Sequence, residues 1–591
     1  MKKRKLSSYF TVHSINRLSF FVWVVIFLLA IMSARLVGIM IFHSDKYSKM
    51  ATNVQERERS IKAPRGIIYD RNGVVLAGNK PVCSISVIHN QVTDKEEVIK
   101  QLCEKLELEE ETVRKKVEKV SSREIIKTNV QASVADEIRR LDLDGVMIDE
   151  DYKRYYPYST LASKVLGFTG ADNQGILGLE VKYESVLLGK EGSINTLTDV
   201  KGIEIENAAE VRVEPIPGNN LVTSIDVNIQ KYIEDMAMSV LKKRNANRVC
   251  IIVMNPQNGE IYGLTDVPEY DLNNPFTLNA ELEDDISTDT DAEKNTQDML
   301  NRMWRNFCIN DTYEPGSTFK IITSAAALEE EKVTVDDGFY CPGYRIVEDR
   351  RIRCHKVTGH GSETFTEGIM NSCNPVFMEI GSRVGAGDFY KWMEKLGLFE
   401  KTGIDLPGEA NSIFHKLENV GQVELATMSF GQSFQITPLQ LMRAVSAVIN
   451  GGTLITPHFG VYVTDENNHI IDKLEYKEEK NVLSEETCET MKILLEAVVS
   501  KGTGKNAYVE GYTIGGKTAT SEKLPRSLNK YISSFIGFAP AENPQVITLI
   551  LIDEPEGVYY GGTIAAPVVG EIFDNILPYL GIEKSEIKTE Q

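Results

Sequence analysis

The sequence predicts an α+β protein with one N-terminal transmembrane helix, an elongated α+β region and a larger domain whose central antiparallel sheet is flanked by helices. Three observations support this prediction. A chain of 591 residues is too long for one ordinary core, so two or three domains are expected. One long apolar run lies near the N-terminus. Further on, strand, helix and hairpin patterns are followed by a helical insert and a strand-rich end, which is typical of helices packed on an antiparallel sheet.

The N-terminal segment predicts a membrane anchor. Basic residues, the last of them Arg17, precede an uncharged run that begins at Leu18, and the apolar stretch continues to Phe42. This stretch exceeds the roughly 20 residues that cross a bilayer, and Arg35 lies near enough to one end to snorkel. A cleaved signal peptide is the alternative, but the run is too long and no convincing small-residue cleavage site follows it.

Positive charge stays on the cytoplasmic side of a membrane. We therefore expect residues 1–17 to be a cytoplasmic tail and residues 18–42 to be the anchor. The rest of the chain is then extracytoplasmic, in a single-pass protein of the cell membrane.

Composition argues against some classes of ligand. The net charge of −20 at pH 7 argues against nucleic-acid binding, because a polyanion would be repelled. The eight cysteines include no C-x-x-C pair and no His-rich spacing, which argues against a zinc site. No metal and no cofactor are expected.

Residues 45–220 are expected to form the first extracytoplasmic domain, a pedestal. The segment from Arg65 to Ala77 predicts two short strands around an Asn72-Gly73 turn. Residues 94–142 are charged and helical in pattern, and solvated helices of a spacer are the preferred interpretation. A buried ion-pair network is predicted to shape this domain, with the members Arg65, Asp70, Arg71 and Glu180.

Residues 221–582 are expected to form the second domain, and residues 583–591 a tail. The first elements predicted are a strand at 221–226, a helix at 227–243 and a hairpin around Asn258-Gly259. Residues 341–363 have an irregular, glycine-bearing pattern. The domain is predicted to end in three neighbouring strands and a closing helix, at 512–520, 531–539, 546–552 and 563–580.

The centre of the second domain is the motif Ser317-Thr-Phe-Lys320. Apolar residues at helical spacing predict a helix from Ser317 to Leu328, which places Lys320 one turn above Ser317 on the same face. A serine hydroxyl needs a neighbouring base, and a lysine is a base only when it is neutral. The motif alone is weak, because Ser-x-x-Lys also occurs at Ser239 and Ser527.

Two further motifs distinguish Ser317. Ser372-Cys373-Asn374 follows it, and Lys517-Thr518-Ala519-Thr520 comes later in the chain. The trio S-x-x-K, S-D-N and K-T-G is the signature of serine β-lactamases and penicillin-binding proteins. Here the second motif reads S-C-N and the third reads K-T-A.

If the three motifs converge, they predict acyl transfer on a peptide that ends in a free carboxylate. Ser317 attacks a carbonyl, and Lys320, kept neutral by the nearby Lys517 and by exclusion of water, accepts the proton. The remaining roles are proton relay by Ser372, substrate and lysine orientation by Asn374, carboxylate binding by Lys517 and Thr518, and oxyanion binding by the backbone N–H groups of Ser317 and Thr520.

From the anchor to about residue 580, the chain resembles the class B penicillin-binding proteins, which are monofunctional membrane-anchored D,D-transpeptidases. The resemblance is carried by the three motifs and by Arg65-Gly66, Asp70 to Gly73, Arg154 to Pro157, Gly178 to Glu180, Thr223 to Asp226 with Gln230, and Tyr313 to Lys320.

The resemblance implies a fold and a reaction. The second domain would have the fold shared by penicillin-binding proteins and β-lactamases, and the pedestal would be of the dimerisation type. The D-Ala-D-Ala end of a peptidoglycan stem peptide would acylate Ser317 and pass to an amine of a neighbouring strand, and β-lactams would acylate the same serine. A polytopic glycosyltransferase of the shape, elongation, division and sporulation group would be the partner.

Two positions depart from the family pattern. Ala519 replaces the usual glycine of the third motif, and its methyl group is expected to alter β-lactam affinity rather than to abolish activity. Gly431-Gln432-Ser433 carries a serine where the family often has a third glycine.

Cys373 lies inside the second motif, in a compartment where thiols oxidise. A disulfide from Cys373 to Cys354 or Cys341 would displace Ser372 and Asn374 and make the enzyme redox-sensitive. A small buried free thiol is the preferred interpretation.

Two rival functions stay open at this point. A β-lactamase or β-lactam sensor uses the same acylation chemistry, but neither needs a long pedestal. A non-catalytic scaffold that recruits a cell-wall glycosyltransferase is the other. The motifs do not distinguish among roles in division, elongation (cell shape) and sporulation.

Overall fold

The structure is a computed structural model that describes residues 9–44, 46, 56–121, 123–197, 211–279 and 292–584. The chain divides into two compact units. The first takes its residues from Met1–Ala63, Pro81–Tyr152 and Lys190–Ile216, and the second from Pro64–Lys80, Lys153–Gly189 and Pro217–Gln591. The predicted tail at 583–591 lies outside the described residues from residue 585 onward.

The described strands are, in chain order, β1 Glu56–Ile61, β2 Ile68–Tyr69, β3 Val75–Val87, β4 Glu124–Gln131, β5 Val146–Tyr155, β6 Gly192–Leu197, β7 Val211–Val213, β8 Asn220–Thr223, β9 Arg248–Met254, β10 Ile261–Val267, β11 Gly338–Cys341, β12 Tyr344–Val347, β13 Arg350–Arg353, β14 Gly361–Thr364, β15 Gly460–Thr464, β16 Ile470–Lys473, β17 Gly515–Glu522, β18 Tyr531–Ala539 and β19 Val546–Asp553.

The described α-helices are α1 Tyr9–Val37, α2 Lys95–Leu106, α3 Glu110–Glu118, α4 Ala132–Arg140, α5 Ser163–Leu166, α6 Gly178–Lys182, α7 Glu184–Leu187, α8 Val227–Arg244, α9 Ala292–Trp304, α10 Phe307–Asn310, α11 Lys320–Glu329, α12 Phe365–Met370, α13 Asn374–Val384, α14 Ala386–Lys395, α15 Gln422–Met428, α16 Pro438–Ile449, α17 Glu485–Ser500, α18 Gly561–Ile564 and α19 Ala566–Tyr579.

The N-terminal helix has the length and composition of a membrane span. Leu18–Ile41 is the one segment of the described chain that is both long and apolar enough to cross a bilayer. Its large apolar side chains are exposed along the whole segment. This helix fits a single-pass membrane anchor.

The first unit combines short helices with strands around its own apolar core. The predicted helices between residues 94 and 142 are α2, α3 and α4, but strand β4 lies between α3 and α4. The all-helical prediction for 94–142 was therefore wrong at β4. Its Ile126 and Val130 are buried against the helices, whereas its other side chains are polar or exposed, so the charged composition concealed a strand.

The second unit is built on a five-stranded antiparallel sheet with the order β10-β9-β19-β18-β17. Alternate residues of β9 belong to two different cores. Val249, Ile251 and Val253 pack with the closing helix α19, whereas Ile252 and Met254 pack with the helices that follow the first motif. Because successive side chains of a strand point to opposite faces, the sheet is covered by helices on both sides. The predicted α+β class with a central antiparallel sheet is confirmed.

Residues 341–363 differ from the irregular segment expected from the sequence. β11 pairs with β14, with Cys341 opposite Gly361, and β12 pairs with β13 as a small hairpin. The hairpin strands carry four arginines, and Val347 is their one buried side chain. These strands are only four residues long and their side chains are mostly half-buried or exposed, so hydrophobic patterning did not reveal them.

A buried ion-pair network lies in the second unit, with Glu180 at its centre. Arg65 Nε donates to Glu180 Oε2 at 2.7 Å, and Arg154 Nε donates to Glu180 Oε1 at 2.6 Å. Arg65 also pairs with the half-buried Glu184 at 2.6 Å. Two of the four residues predicted to form this network are members of it and two are not. Arg65 and Glu180 belong to the network, but Asp70 accepts hydrogen bonds from backbone N–H groups of its own turn, and Arg71 lies over the Tyr262 ring at 4.5 Å.

We predict that Glu180→Ala lowers the free energy of unfolding by about 3–5 kcal/mol, because it leaves the buried Arg154 guanidinium without a carboxylate and leaves the buried Arg65 with Glu184 alone. Glu184→Ala is the matched control. Its side chain is 29% exposed, and we expect a cost of about 1–2 kcal/mol. Denaturant unfolding of both variants measures the difference, and equal costs would contradict the central position of Glu180.

Candidate active site

Ser317 lies at a tight turn immediately before a buried helix. Gly316–Phe319 forms a 3₁₀ turn, and the α-helix begins at Lys320 rather than at Ser317 as predicted. The turn is closed by Thr318, whose hydroxyl donates to the Pro315 carbonyl at 2.7 Å. Gly316 adopts a φ of +57°, and a Cβ there would lie 2.3 Å from the Ser521 hydroxyl, so only glycine fits this approach to strand β17.

Lys320 is completely buried and holds the second motif by hydrogen bonds. Its Nζ donates to the Ser372 carbonyl at 2.7 Å, to Ser372 Oγ at 3.2 Å and to Asn374 Oδ1 at 2.8 Å. Burial lowers the pKa of the Lys320 amine to about 8, partly opposed by Cys373, Cys354 and Glu363. A substantial neutral fraction therefore exists near physiological pH.

The second motif occupies a sharp bend between α12 and α13. Ser372 adopts a φ of +53°, a left-handed conformation that is unusual for serine. Cys373 is the N-cap residue of α13, and Asn374 is the first residue of that helix. The bend thus points the side chains of Ser372 and Asn374 toward the same buried amine.

The third motif lies on β17, one of the two edge strands of the central sheet within the described chain. Lys517 is fully buried and donates to the Thr518 carbonyl at 3.1 Å. Burial and the positive charge of Lys320 lower the pKa of Lys517 well below its ordinary value. The expected repulsion between the two amines is thus present, although burial rather than Lys517 is what lowers the pKa of Lys320.

The three motifs meet around one cleft of about 430 Å³. Its lining includes Ser317, Ser372, Asn374, Thr518, Ala519 and Thr520, while Lys320 and Lys517 lie buried. The structure therefore brings together the predicted site residues of all three motifs. It adds lining residues that belong to none of the three motifs, namely His355, Thr503, Asn506 and Tyr560. Thr503 receives the hydroxyl hydrogen bond of Thr518 at 3.1 Å.

Ala519 faces the turn more than the open cleft. It shares a strand face with Lys517 and Ser521, since side chains alternate along β17, and it is 3% exposed. A Cβ on Gly316 would be 3.7 Å from the Ala519 methyl. The expected effect of this methyl on β-lactam affinity stays a prediction, and the geometry limits it to a small part of the cleft wall.

The Gly431-Gln432-Ser433 segment supports the turn from the opposite side. Gly316 donates its N–H to the Gly431 carbonyl at 2.8 Å. Ser433 adopts a φ of +67°, a conformation that favours the glycine expected there. Its hydroxyl lies 2.8 Å from that of Thr427, and its N–H donates to Glu314 at 2.9 Å, so local hydrogen bonds accommodate the serine.

The three cysteines singled out in the sequence are brought together. Cys341, Cys354 and Cys373 are buried free thiols, and their sulfur atoms converge with a ring nitrogen of His360. The four candidate ligand atoms lie within 4.8 Å of one another. The four residues are far apart in local spacing, so the absence of a C-x-x-C pair, which argued against zinc, gives no sign of this convergence.

A serine beside a buried amine pair, in a cleft bounded by an edge strand, defines a class of serine acyl-transfer enzymes. Residues 249–574 match the family model of the penicillin binding protein transpeptidase domain, and residues 60–223 match that of the penicillin-binding protein dimerisation domain. The chain belongs to the penicillin-binding protein transpeptidase family. It is a serine-type peptidoglycan D,D-transpeptidase, and peptidoglycan and β-lactams are its ligands.

Named relatives cover nearly the whole chain. Stage V sporulation protein D of Bacillus subtilis (strain 168) is 40% identical over 577 residues, which covers 96% of this chain and 86% of the relative. Peptidoglycan D,D-transpeptidase FtsI of Buchnera aphidicola subsp. Schizaphis graminum is 28% identical over 586 residues, which covers 96% of this chain and 95% of that protein.

Solved structures share the fold. A peptidoglycan synthetase from Bifidobacterium adolescentis superposes with a TM-score of 0.72 at 22% identity and covers 91% of this chain and 99% of that one. Penicillin Binding Protein 2X from Streptococcus thermophilus gives a TM-score of 0.71 at 21% identity, covering 90% and 83% of the two chains. Likeness at these identities supports the two-domain fold predicted from the sequence.

Proposed function

We propose that Ser317 is the nucleophile of the transpeptidase and that Lys320 is the base that activates it. The observation that carries this proposal is the fully buried Lys320 amine, hydrogen-bonded to both polar residues of the second motif. No hydrogen bond joins the Ser317 and Lys320 side chains in the described part of the chain. Such contacts often tighten only when substrate binds.

The other site residues take roles along the same reaction. Ser372 relays the proton from Lys320 toward the leaving amine of the substrate. Its hydroxyl is placed for this role because Ser372 Oγ lies 3.2 Å from Lys320 Nζ. Asn374 holds Lys320 and the backbone of the donor peptide. Lys517 and Thr518 bind the terminal carboxylate, and Thr518 is oriented by its bond to Thr503.

The oxyanion is held by the backbone N–H groups of Ser317 and Thr520. An edge strand leaves alternate N–H groups free on its outer side, and β17 lies at the sheet edge where the turn of Ser317 approaches it. Each such donor typically contributes about 3 kcal/mol of transition-state stabilisation. The acyl group of the D-Ala-D-Ala donor then passes from Ser317 to an amine of a neighbouring stem peptide.

We further propose the domain and membrane arrangement expected from the sequence, with a tail at 1–17, an anchor at 18–42, a pedestal at 45–220 and a transpeptidase domain at 221–582. The catalytic part is extracytoplasmic. The apolar helix Leu18–Ile41 and the basic residues before it support this orientation.

We expect Ser317→Ala to abolish covalent labelling of this protein by a membrane-impermeant fluorescent penicillin. The label is applied to protoplasts whose cell membrane is intact. Ser239→Ala and Ser527→Ala are matched controls, because both serines begin an S-x-x-K pattern and both are exposed. They should label like the wild type. Unchanged labelling of Ser317→Ala would reject Ser317 as the nucleophile. If the wild-type protein is labelled only after cell lysis, the extracytoplasmic position of the catalytic part is rejected.

The acylation rate should rise about tenfold per pH unit below about 8 and then level off, because only the neutral Lys320 amine accepts a proton and its pKa is lowered to about 8. The titratable groups that interact with the charge of this amine are Lys517, Cys354, Cys373 and Glu363. Stopped-flow acylation across the pH range measures the profile. A flat profile in protein that stays folded would contradict Lys320 as the base.

We also propose that this transpeptidase acts in spore formation, together with a polytopic glycosyltransferase reached through the anchor and pedestal. The support is the 40% identity with Stage V sporulation protein D along nearly the whole chain. Depletion should then block spore maturation and leave vegetative cell shape unchanged, and the tagged full-length protein should co-purify with a glycosyltransferase. Filaments or spheres would instead indicate division or elongation.

A further inference from the structure

We propose that the outward face of the β12–β13 hairpin binds free carboxylates of the acceptor, the second peptide whose amine takes the acyl group. This face presents Arg351 and Arg353, and Lys356 follows a few residues later. All three side chains are exposed, and none of them forms an ion pair with another residue of the described chain. The inference deepens the proposed function and rests on it, because the acceptor reacts only after Ser317 has been acylated.

The pairing of the two strands determines which side chains share a face. Tyr344 lies opposite Arg353, and Ile346 lies opposite Arg351. Residues directly opposite each other on antiparallel strands project to the same side of the sheet, so these four side chains form one face. Ile346 is 64% exposed, whereas Val347, on the other face, is buried. The face with the two arginines is therefore directed away from the body of the second unit.

The opposite face attaches the hairpin to the second unit. Arg345 on this face pairs with Glu379 of α13 at 3.0 Å, and Val347 joins the main core. Arg350 lies directly opposite Val347 and is exposed near the turn of the hairpin. One arginine thus holds the hairpin in place, while those of the outward face are available to a ligand.

The outward face borders the cleft on the side of the second motif. Asn374 Nδ2 donates to the Arg353 carbonyl at 3.3 Å, and Asn374 itself lines the cleft. His355, two residues after Arg353, is also part of the cleft wall. The two acidic residues of the hairpin, Glu348 and Asp349, lie in its turn, at the other end of the strands. The end of the hairpin next to the cleft therefore carries positive charge.

The charge around the cleft is opposite in sign to that of the whole chain. The chain has a net charge of −20, yet the cleft wall, as far as the described residues form it, includes Lys505 and no carboxylate. Such a local potential attracts an anionic ligand and orients it as it approaches. A guanidinium can hold both oxygens of a carboxylate at once. Arg351 is stacked on the Tyr344 ring at 3.7 Å, which holds its guanidinium plane in position for such a contact.

The side of the cleft determines which peptide meets the hairpin. The terminal carboxylate of the donor is assigned to the third motif on β17, whereas the hairpin borders the cleft at Asn374. When the bond between the acyl group and the Ser317 oxygen breaks, a new amide bond forms. The proton of the acceptor amine then returns to Ser317 through Ser372 and Lys320, the reverse of the route it took to the leaving amine. The acceptor therefore approaches from the second-motif side. As a stem peptide like the donor, it carries a free carboxylate of its own.

The test measures binding to the full-length wild-type protein in detergent after acylation by penicillin, because the penicilloyl group fills the donor side of the cleft. One probe is a fluorescent peptide with one free amine and two free carboxylates, and the other is the same peptide with both carboxylates amidated. We expect the amidated probe to bind about tenfold more weakly at low ionic strength. This difference should shrink as salt is added, because salt screens exposed charges. Equal affinities at low ionic strength would overturn the proposal without any variant.

Variants assign the effect to the outward face. Arg351→Gln combined with Arg353→Gln should weaken binding of the carboxylate probe about tenfold and leave the affinity of the amidated probe unchanged. Arg350→Gln is the matched control, since Arg350 is an exposed arginine on the opposite face of the same hairpin, and it should bind both probes like the wild type. An equal loss for both probes in the double variant, or an equally large loss in Arg350→Gln, would overturn the proposal.

Turnover gives an independent readout. With a thioester donor, the fraction of acyl groups transferred to an amine rather than to water should fall in the double variant for the carboxylate acceptor and not for the amidated one. A merely structural defect would lower both fractions equally, and that result would overturn the proposal.

Other anions and the nucleophile are distinguished in the same experiments. If the double variant keeps its affinity for the carboxylate probe but loses binding to anionic phospholipid vesicles or to inorganic polyphosphate, the hairpin contacts those polyanions and the acceptor assignment is overturned. A penicilloyl adduct located by mass spectrometry on a residue other than Ser317 would reject the proposed nucleophile and would not alter the measured peptide affinities.

Discussion

The arrangement of this active site depends on one buried amine. Lys320 has no access to water, and its three hydrogen bonds all end on the bend that contains Ser372 and Asn374. A buried cation is costly, so the surrounding atoms lower its pKa while still satisfying its donors. The same surroundings therefore join two distant chain segments and leave the Lys320 amine, whose pKa is lowered to about 8, partly neutral near neutral pH.

The rest of the second unit supports that amine. The 3₁₀ turn before α11 places Ser317 at the cleft while the next turn goes into the core, and Gly316 allows β17 to approach. β17 in turn is backed by four further strands with helices on both faces. Far along the chain from these motifs, Glu180 bridges two buried arginines, Arg65 and Arg154, and Glu184 supplies the second negative charge.

Much of this could be predicted from the sequence because motifs and apolar periodicity are local signals. The three motifs, the apolar N-terminal run and the strands at β18 and β19 are all encoded within short windows. What could not be predicted depends on contacts between distant residues or on weak patterns. Arg154 and Glu184 joined the ion-pair network without any spacing that marks them, β4 was concealed by charged residues, and His360 has no sequence feature that links it to Cys373.

The position of β17 at an edge of the described sheet has a consequence for ligand selectivity. A strand edge recognises the main chain of whatever lies beside it, because its donors and acceptors are peptide groups rather than side chains. Recognition of that kind tolerates chemical variety, provided that an amide and a carboxylate are held at the right separation. A compact bicyclic amide with a carboxylate can therefore mimic an extended peptide in this cleft. The family's sensitivity to β-lactams follows because such a strand edge recognises the main chain of a ligand rather than particular side chains.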